Sequence, residues 1–292
     1  MFDPIHLETL ATILRVGSFE AAAHELNVTP SAVSQRIRAL EERVGAALIL
    51  REQPARPTPI GARLARHAED LRLLERALAQ DLGLASQAER PVVRIAVNAD
   101  SVAIWVLSAL AETDGMLFDI VIDDQDHSAE WLRRGEVQAA VTSHPGPIAG
   151  CDAYPLGVLR YLATASPDFV ARWFPDGPTA EALSRAPALI FNLKDRLQAD
   201  WAEEVCGRRL ALPGHYLPSS TGFVEAARLG MGWGMNPEPL VRHELATGAL
   251  VALADRPLDV MLYWQVGRLT AKALAPLTDA IRRRARRVLR PA

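Results

Sequence analysis

The sequence predicts an α/β protein in which a small helical region and one long helix precede a larger region of alternating strands and helices. Residues 1 to about 57 show helical periodicity with almost no strand signal, and residues 58 to about 88 fit a single long helix. From "PVVRIAVNAD" to the C-terminus, strand patterns alternate with helical ones. Such alternation predicts a largely parallel sheet covered by helices.

The composition narrows the class of protein. The 292 residues suffice for two or three domains, and 49% hydrophobic with 23% charged residues is typical of a soluble globular chain. No apolar run reaches the length of a membrane span, and "MFDPIHLETL" lacks the segments of a signal peptide, so we expect a cytoplasmic protein without membrane contact. Cys151 and Cys206 lie far apart without CxxC spacing or nearby ligands, which predicts free thiols and no metal site.

The first two helices are predicted from leucine spacing and from their end signals. Leu7, Leu10 and Leu14 recur at helical intervals, and Gly17 follows where a helix should end. Ser18 is placed to cap the next helix, whose inner side carries Phe19, Ala22, Ala23 and Leu26.

The segment "NVTP" predicts a tight turn into a third helix. Asn27 suits a left-handed conformation, Thr29 is a candidate N-cap, and Pro30 fits the first helical position. The side chains expected on the buried face of this helix are Val33, Ile37, Leu40 and Val44.

The opposite face of the third helix has the chemistry of a DNA-contacting surface. Glutamine and arginine make bidentate contacts to adenine and guanine, hydroxyls reach phosphates, and Ala32 fits a thymine methyl. The net charge of −3 excludes indiscriminate coating of nucleic acid, yet seven arginines face three glutamates between Pro30 and Arg66. Periodicity alone leaves a plain helical hairpin with a solvated polar face equally open.

The long helix carries a leucine stripe. Leu64, Leu71 and Leu78 are seven residues apart, and Ala68, Leu74 and Leu82 complete the stripe. This spacing permits pairing with a second helix, although the same stripe could pack on its own domain.

In the larger region, polar residues follow the predicted strands, where open α/β sheets bind ligands. "VVRIAVNADS" leads into a helix near Ser101, whose amides suit a carboxylate, and "FDIVIDDQDHS" runs into three acidic residues suited to a cation. A solvated loop is the alternative for those acids. The candidate ligand-binding residues are Asn98, Asp100, Ser101, Asp123, Asp124, Asp126, Thr142, Ser143, Ser219, Ser220 and Trp233.

Catalysis is the first alternative function. Acidic residues with the adjacent His127 could serve acid–base chemistry. However, the sequence has no GxSxG, HExxH or Walker motif, and "GMGWG" does not follow the dinucleotide fingerprint. We therefore expect a protein without catalytic residues and without a cofactor.

The N-terminal motifs resemble those of a known family. "LETLATILRVGSFEAAAHELNVTPSAVSQRIRALEERVGAALILRE", followed by "RPTPIGARLARHAEDL", is similar to LysR-type transcriptional regulators, with turn, recognition helix, wing and linker in order. The likeness continues through the chain. It implies a winged helix-turn-helix (1–57), a linker and dimerisation helix (58–89) and a two-lobed, periplasmic-binding-protein-like α/β effector domain (90–292).

The resemblance also implies boundaries and contacts. Lobe I would comprise about 90–162 and 267–292, and lobe II about 163–266. Residues Leu50 to Thr58 would form the wing. The DNA-binding residues would be Ser18, Thr29, Pro30, Ser31, Ser34, Gln35, Arg38, Arg51 and Arg56.

Motifs of the larger region resemble the ArgP/LysG branch of that family: "VNADSVAIWVL", "LRRGEVQAAVTS", "LGVLRYLATAS", "FNLKDRLQ" and "GMGWGMNPE". Membership implies an activator that senses L-lysine or L-arginine and controls a gene for basic amino-acid export. The implied partners are a pseudo-palindromic operator in double-stranded DNA, a second copy through the linker helix, a tetramer of such copies, and RNA polymerase.

Two further alternative functions remain from the sequence. A solute-binding protein shares the architecture of the larger region, and a chromosome-architecture or replication-inhibiting DNA binder shares the branch. The run "IRRRARRVLR" is interpreted as the solvated face of a terminal helix, with contact to DNA or an acidic partner as the other reading.

Overall fold

The computed structural model describes residues 2–50, 52–84, 90–123 and 128–291. The N-terminal region consists of helices α1 (Pro4–Val16), α2 (Phe19–Glu25) and α3 (Pro30–Val44), the short strands β1 (Ile49–Leu50) and β2 (Arg56–Pro57), and the long helix α4 (Pro59–Asp81). Strands β1 and β2 pair antiparallel.

The predicted helix boundaries are confirmed by their caps. Gly17 ends α1 in the left-handed region with φ of 79°, and the Ser18 hydroxyl accepts a hydrogen bond from the Ala21 amide at 3.0 Å. Asn27 is left-handed with φ of 52°, and the Thr29 hydroxyl accepts from the Ala32 amide at 3.2 Å. Local side-chain chemistry therefore sets the angle at which α3 leaves the turn.

The three helices and the hairpin share one core. Leu10, Ala22, Val33 and Ile37 are buried within it, together with Leu48 of the hairpin. Val44 is only partly buried. The exposed face of α3 is consequently held at a fixed distance from the hairpin, as a helix-turn-helix with an adjacent wing requires.

The leucine stripe that begins on α4 is packed against the N-terminal core in its first half and exposed to solvent in its second half. Ala68 is buried and Leu64 and Leu71 are partly buried in the N-terminal core, so the first half of the helix packs on its own domain. Leu78 and Leu82 are 59% and 62% exposed. Self-packing, the alternative reading of the stripe, therefore applies to the first half, and the second half keeps an apolar surface.

The middle of α4 also contacts the larger domain through a cluster of charged groups. Gln138 donates a hydrogen bond to Asp70 at 3.1 Å, and the Arg94 side chain lies 3.1 Å from Asp119. Burial, followed by the neighbouring Asp70 charge, raises the pKa of Glu69 from its ordinary value of 4.5 to about 7. This contact between linker helix and sheet is therefore sensitive to pH.

Replacing Glu69 with glutamine should stabilise the protein at pH 8 by roughly 1–3 kcal/mol, because it removes a charge that burial disfavours. Between 4.5 and about 7 the folded wild type holds more protons at Glu69 than the unfolded chain does, so its stability falls as pH rises. The variant should lack this slope. Urea unfolding across that pH range measures the effect, and an unchanged slope would contradict the assigned titration.

The larger domain is built on a seven-stranded sheet. Its strands are β3 (Val92–Val97), β4 (Leu117–Ile122), β5 (Ala139–Thr142), β6 (Cys151–Ala165), β9 (Gly234–Pro237), β10 (Val251–Ala252) and β11 (Leu258–Gly267); β7 (Ala188–Ile190) and β8 (Gly214–Tyr216) form a separate parallel pair. The strand order in the large sheet is β10-β6-β11-β5-β3-β4, and β9 also pairs with β6. The helices are α5 (Ala99–Ser101), a π-helical turn (Val102–Val106), α6 (Leu107–Ala111), α7 (Ser128–Arg133), α8 (Pro167–Trp173), α9 (Ala180–Leu183), α10 (Leu197–Cys206), α11 (Ser220–Arg228), α12 (Glu238–Thr247) and α13 (Ala275–Val288).

The prediction of a largely parallel sheet is wrong, because the sheet is mixed. Strand β3 is parallel to β4 and β5, whereas β11 runs antiparallel to β5 and β6, and β6 runs antiparallel to β9 and β10. The long strands β6 and β11 pair with each other along ten positions. They join a first lobe (β3–β5, α5–α7 and α13) to a second lobe (β7–β10 and α8–α12).

The C-terminal basic run packs mainly on its own domain. The Arg282 guanidinium lies 5.0 Å from the Tyr154 ring, Arg283 and Arg284 pair with Glu112, and Arg290 makes two hydrogen bonds of 2.9 Å to Glu238. These contacts fit the reading of a terminal helix better than that of a DNA-binding tail.

Cys151 and Cys206 are free thiols. Among the residues that the structure describes, no helix combines the length and the apolar character needed to cross a bilayer. The same residues include no group of three or more His, Cys, Asp or Glu side chains arranged around a common metal position.

Candidate ligand cleft and nucleic-acid interface

Helix α3 presents the polar face that its sequence predicted. Ser31, Gln35 and Arg38 are exposed and Ser34 is half-buried. Gln35 and Arg38 are three residues apart and therefore share one side of the helix. Arg36 points elsewhere, since its guanidinium donates to the Thr9 hydroxyl at 3.3 Å.

The capping hydroxyls and the wing frame this face. The oxygens of Ser18 and Thr29 accept from backbone amides, which leaves their hydroxyl hydrogens available to a phosphate oxygen. Pro30, at the first position of α3, is exposed beside them. In the wing, Arg56 is exposed and only weakly paired with Glu52 at 3.7 Å. Arg51, the other predicted wing contact, lies outside the described residues.

A narrow cleft with a cavity volume of about 40 Å³, partly open to solvent, lies between the two lobes. The first lobe contributes residues at the ends of β3 and β4, and the second lobe contributes the loop before α10, the start of α11 and strand β9. The lining residues are Asn98, Ala99, Asp100, Asp123, Phe191, Asp195, Leu197, Gln198, Ser220, Phe223, Met235, Asn236 and Pro237.

Three carboxylates give this cleft an acidic interior. Burial raises the pKa of Asp100, and the nearby Ser220 hydroxyl together with a hydrogen bond of 2.7 Å from the Tyr161 hydroxyl offsets part of the rise. Burial also raises the pKa of Asp195, against the backbone amides of Phe191 and Leu197, which donate to it. Buried carboxylates with raised pKa values gain from a cationic partner, so the cleft suits a positively charged group.

The third carboxylate spans the mouth of the cleft. Asp123 accepts from the Trp131 indole at 2.9 Å through one oxygen and from the Lys194 ammonium at 3.0 Å through the other. Asp123 follows β4 in the first lobe, and Lys194 precedes α10 in the second lobe. The ion pair therefore connects the two lobes.

Several buried amide groups in the cleft lack partners. Both polar atoms of Asn98 and the Asn236 carbonyl oxygen have no hydrogen bond within the described part of the chain. The Gln198 amide lies beside Asp195, close enough to favour its charge, yet completes no hydrogen bond of normal geometry there. Buried polar groups of this kind are costly unless a ligand or ordered water satisfies them.

The start of α5 leaves further donors available. Asn98 occupies the N-cap position but makes no side-chain capping bond. The first-turn amides of a helix have no acceptor within the helix, and Ser101 is fully buried with an unpaired hydroxyl among the described residues. Such groups suit the carboxylate of a ligand.

Some predicted ligand residues lie elsewhere. Ser219 is exposed and its hydroxyl caps α11 by accepting from Gly222 at 3.1 Å. Thr142 is buried and accepts from Gln265 at 3.1 Å, and neither it nor Ser143 lines the cleft. Trp233 is fully buried against Trp201, with ring centroids 5.3 Å apart, so its prediction as a cleft wall is wrong.

The predicted acidic cluster is only partly described. Asp123 lines the cleft, whereas Asp124, Asp126 and the neighbouring His127 lie outside the described residues. The sequence reasoning did not select Asp195, Gln198 or Asn236. The first two occur in "FNLKDRLQ" and the third in "GMNPE", so the motifs contained them although no strand-end pattern pointed to them.

Two family models match most of the chain. The model described as "Bacterial regulatory helix-turn-helix protein, lysR family" matches residues 5–62, and the model described as "LysR substrate binding domain" matches residues 86–289.

Individual relatives match over nearly their whole length. The "Lysine export transcriptional regulatory protein LysG" of Corynebacterium efficiens is 41% identical over 296 residues, covering 99% of each chain. The crystal structure of ArgP from Mycobacterium tuberculosis is 43% identical with a TM-score of 0.83, covering 100% of each chain. Full-length LysG from Corynebacterium glutamicum, described with bound effector Arg, is 38% identical with a TM-score of 0.69, covering 99% of this chain and 100% of its own.

Proposed function

Because the chain belongs to the LysR family of bacterial regulators, and within it to the LysG/ArgP branch, we propose that it senses L-lysine or L-arginine and controls an amino-acid exporter gene. It is a transcriptional regulator and not an enzyme, and its helix-turn-helix is the DNA-binding part. The relatives named for lysine export and described with bound Arg support the proposed effector and target.

The observation that carries the effector proposal is the acidic cleft with unpaired buried amides. The carboxylate of a free amino acid would meet the first turn of α5, where Asn98 leaves the amides uncapped. Its cationic groups would pair with Asp100, Asp123 and Asp195, whose burial makes an uncompensated charge costly. A neutral amino acid would satisfy fewer of these groups.

The proposed coupling runs through the strands that join the lobes. A ligand that contacts both lobes favours one angle between them. Strands β6 and β11 connect the lobes, so a change in this angle bends or twists these two strands. Because α4 contacts the larger domain through Asp70 and Leu73, a change in that domain reaches the DNA-binding region through the same helix.

The proposed DNA contacts are the residues predicted from the sequence on α3, at the helix caps and in the wing. Leu78 near the end of α4 and Leu82 just after it are exposed and would pair with a second copy, which would present two α3 helices to a pseudo-palindromic site. Further association to a tetramer, contact with RNA polymerase, activation of the promoter and a cytoplasmic location belong to the same proposal. So does the division into 1–57, 58–89 and 90–292.

Calorimetric titration of the full chain tests the effector. L-arginine or L-lysine should bind with a Kd in the millimolar range or below, and the neutral isosteres L-citrulline and L-norleucine should bind at least about tenfold more weakly. Absence of binding by both cations at millimolar concentrations would overturn the effector proposal.

The neighbouring gene tests the target independently. A divergently transcribed gene for an amino-acid exporter next to the gene for this chain is the expected arrangement. An unrelated catabolic operon in that place would count against control of export.

A further inference from the structure

Lys194 lies at the mouth of the cleft in a loop with several local hydrogen bonds. Its backbone amide donates to the Asn192 side chain at 2.7 Å, and the next residue, Asp195, accepts from Phe191 at 2.9 Å and from Leu197 at 3.0 Å. These bonds direct Asp195 into the cleft while the neighbouring ammonium reaches Asp123 across the lobes.

The ammonium already occupies one oxygen of a cleft carboxylate. The Asp123 side chain is 15% exposed and Lys194 is 50% exposed, so the acid is fixed in the wall while the lysine head remains in contact with water. Trp131 holds the other oxygen of Asp123. A ligand cation that uses Asp123 must therefore replace or share the position of the Lys194 ammonium.

The residue type fits an exchangeable partner. All but two of the 32 basic residues are arginine, and the two lysines, Lys194 and Lys272, both form ion pairs between separate parts of the fold. A guanidinium holds a carboxylate through a planar fork, whereas an ammonium is a strongly hydrated point charge on a flexible chain. Lysine is thus the basic residue that leaves a carboxylate more easily.

We infer that Lys194 is a built-in competitor for the cation of the effector at Asp123, and that it sets the concentration at which the cleft fills. This inference rests on the proposed function. A cationic ligand must replace the ammonium or share its position, which weakens the binding of the ligand, whereas a neutral ligand leaves the pair in place. Lys194 is accordingly a residue that tunes the threshold of the sensor.

Titration of the full-length Lys194→Met variant with L-arginine and L-lysine tests the inference. The Kd for the cation should fall about two- to fivefold relative to wild type, as expected for loss of a partly exposed ion pair. The Kd for L-citrulline should change less than twofold. Lys272→Met, which removes the same charge from a pair with Asp81 on the linker helix, is the matched control and should leave both Kd values unchanged.

A second variant makes the test independent of the single substitution. In an Asp123→Asn background, Lys194→Met should no longer alter the Kd for the cation, because the shared acceptor is gone. Weaker cation binding by Lys194→Met would show that the lysine closes the cleft around the ligand, and an unchanged Kd would show that the cation does not use Asp123. Either result overturns the inference, whereas failure of the wild type to bind either cation overturns the proposed function itself.

Discussion

Replacing both Gln35 and Arg38 with alanine should strongly weaken specific operator binding while leaving amino-acid binding unchanged. Both side chains are exposed on one side of α3, and each bidentate contact to a base contributes about 1–3 kcal/mol of discrimination. Together they should account for a loss of about 30-fold or more in operator affinity. Fluorescence anisotropy with a labelled operator, at fixed salt, measures the effect.

The control for this variant is Arg43→Ala. It removes one positive charge from the same helix, but Arg43 lies in the last turn and packs 5.8 Å from the Phe2 ring. Its effect on operator affinity should stay within about threefold, as expected for a screened charge that makes no base contact. If operator binding survives the loss of both Gln35 and Arg38, the DNA-contacting face lies elsewhere.

Replacing Asp100 with asparagine should remove most of the affinity for a cationic amino acid and also stabilise the free protein. Asparagine can still accept the Tyr161 hydrogen bond but lacks the charge, so we expect the Kd for the cationic amino acid to rise about 10- to 100-fold. Since burial raises the pKa of Asp100, its charged form destabilises the fold at neutral pH, and the variant should have a higher Tm.

The same pKa predicts a pH dependence. A cationic ligand favours the charged form of Asp100, so binding should release protons and weaken as pH falls through the raised pKa. The exposed Asp114→Asn change, outside the cleft, is the matched control and should alter neither Kd nor Tm appreciably. Unchanged affinity in Asp100→Asn would place the cation away from this carboxylate.

The N-terminal region was predictable because its signals are local. A glycine after α1, hydroxyls at Ser18 and Thr29 and a left-handed Asn27 each act within a few residues, and the structure contains them as expected. Strand direction in the larger domain was not predictable in this way. It depends on the pairing of β6 with β11, which lie about a hundred residues apart in the chain and carry no local sign of orientation.

The cleft shows the same division. Asn98, Asp100, Asp123 and Ser220 follow strands or begin helices, and a strand-end rule found them. Asp195 lies in the loop before α10 and Gln198 in the first turn of α10, and neither directly follows a strand, so that rule did not select them. Trp233 was wrongly predicted to line the cleft. It precedes β9, which is buried on both faces, so the sequence does not show towards which face the ring points, and in the structure the ring packs against Trp201.

The most direct test is whether a cationic amino acid changes how the protein binds the DNA next to its own gene. DNase I footprinting of the full-length protein on the DNA between its gene and the divergent neighbour should show protection whose extent or bending-sensitive sites change with L-arginine or L-lysine. L-citrulline should leave the footprint unchanged, and Asp100→Asn should retain protection but lose the response. A footprint that is identical with and without the cationic amino acids would contradict the central claim that the acidic cleft controls DNA binding.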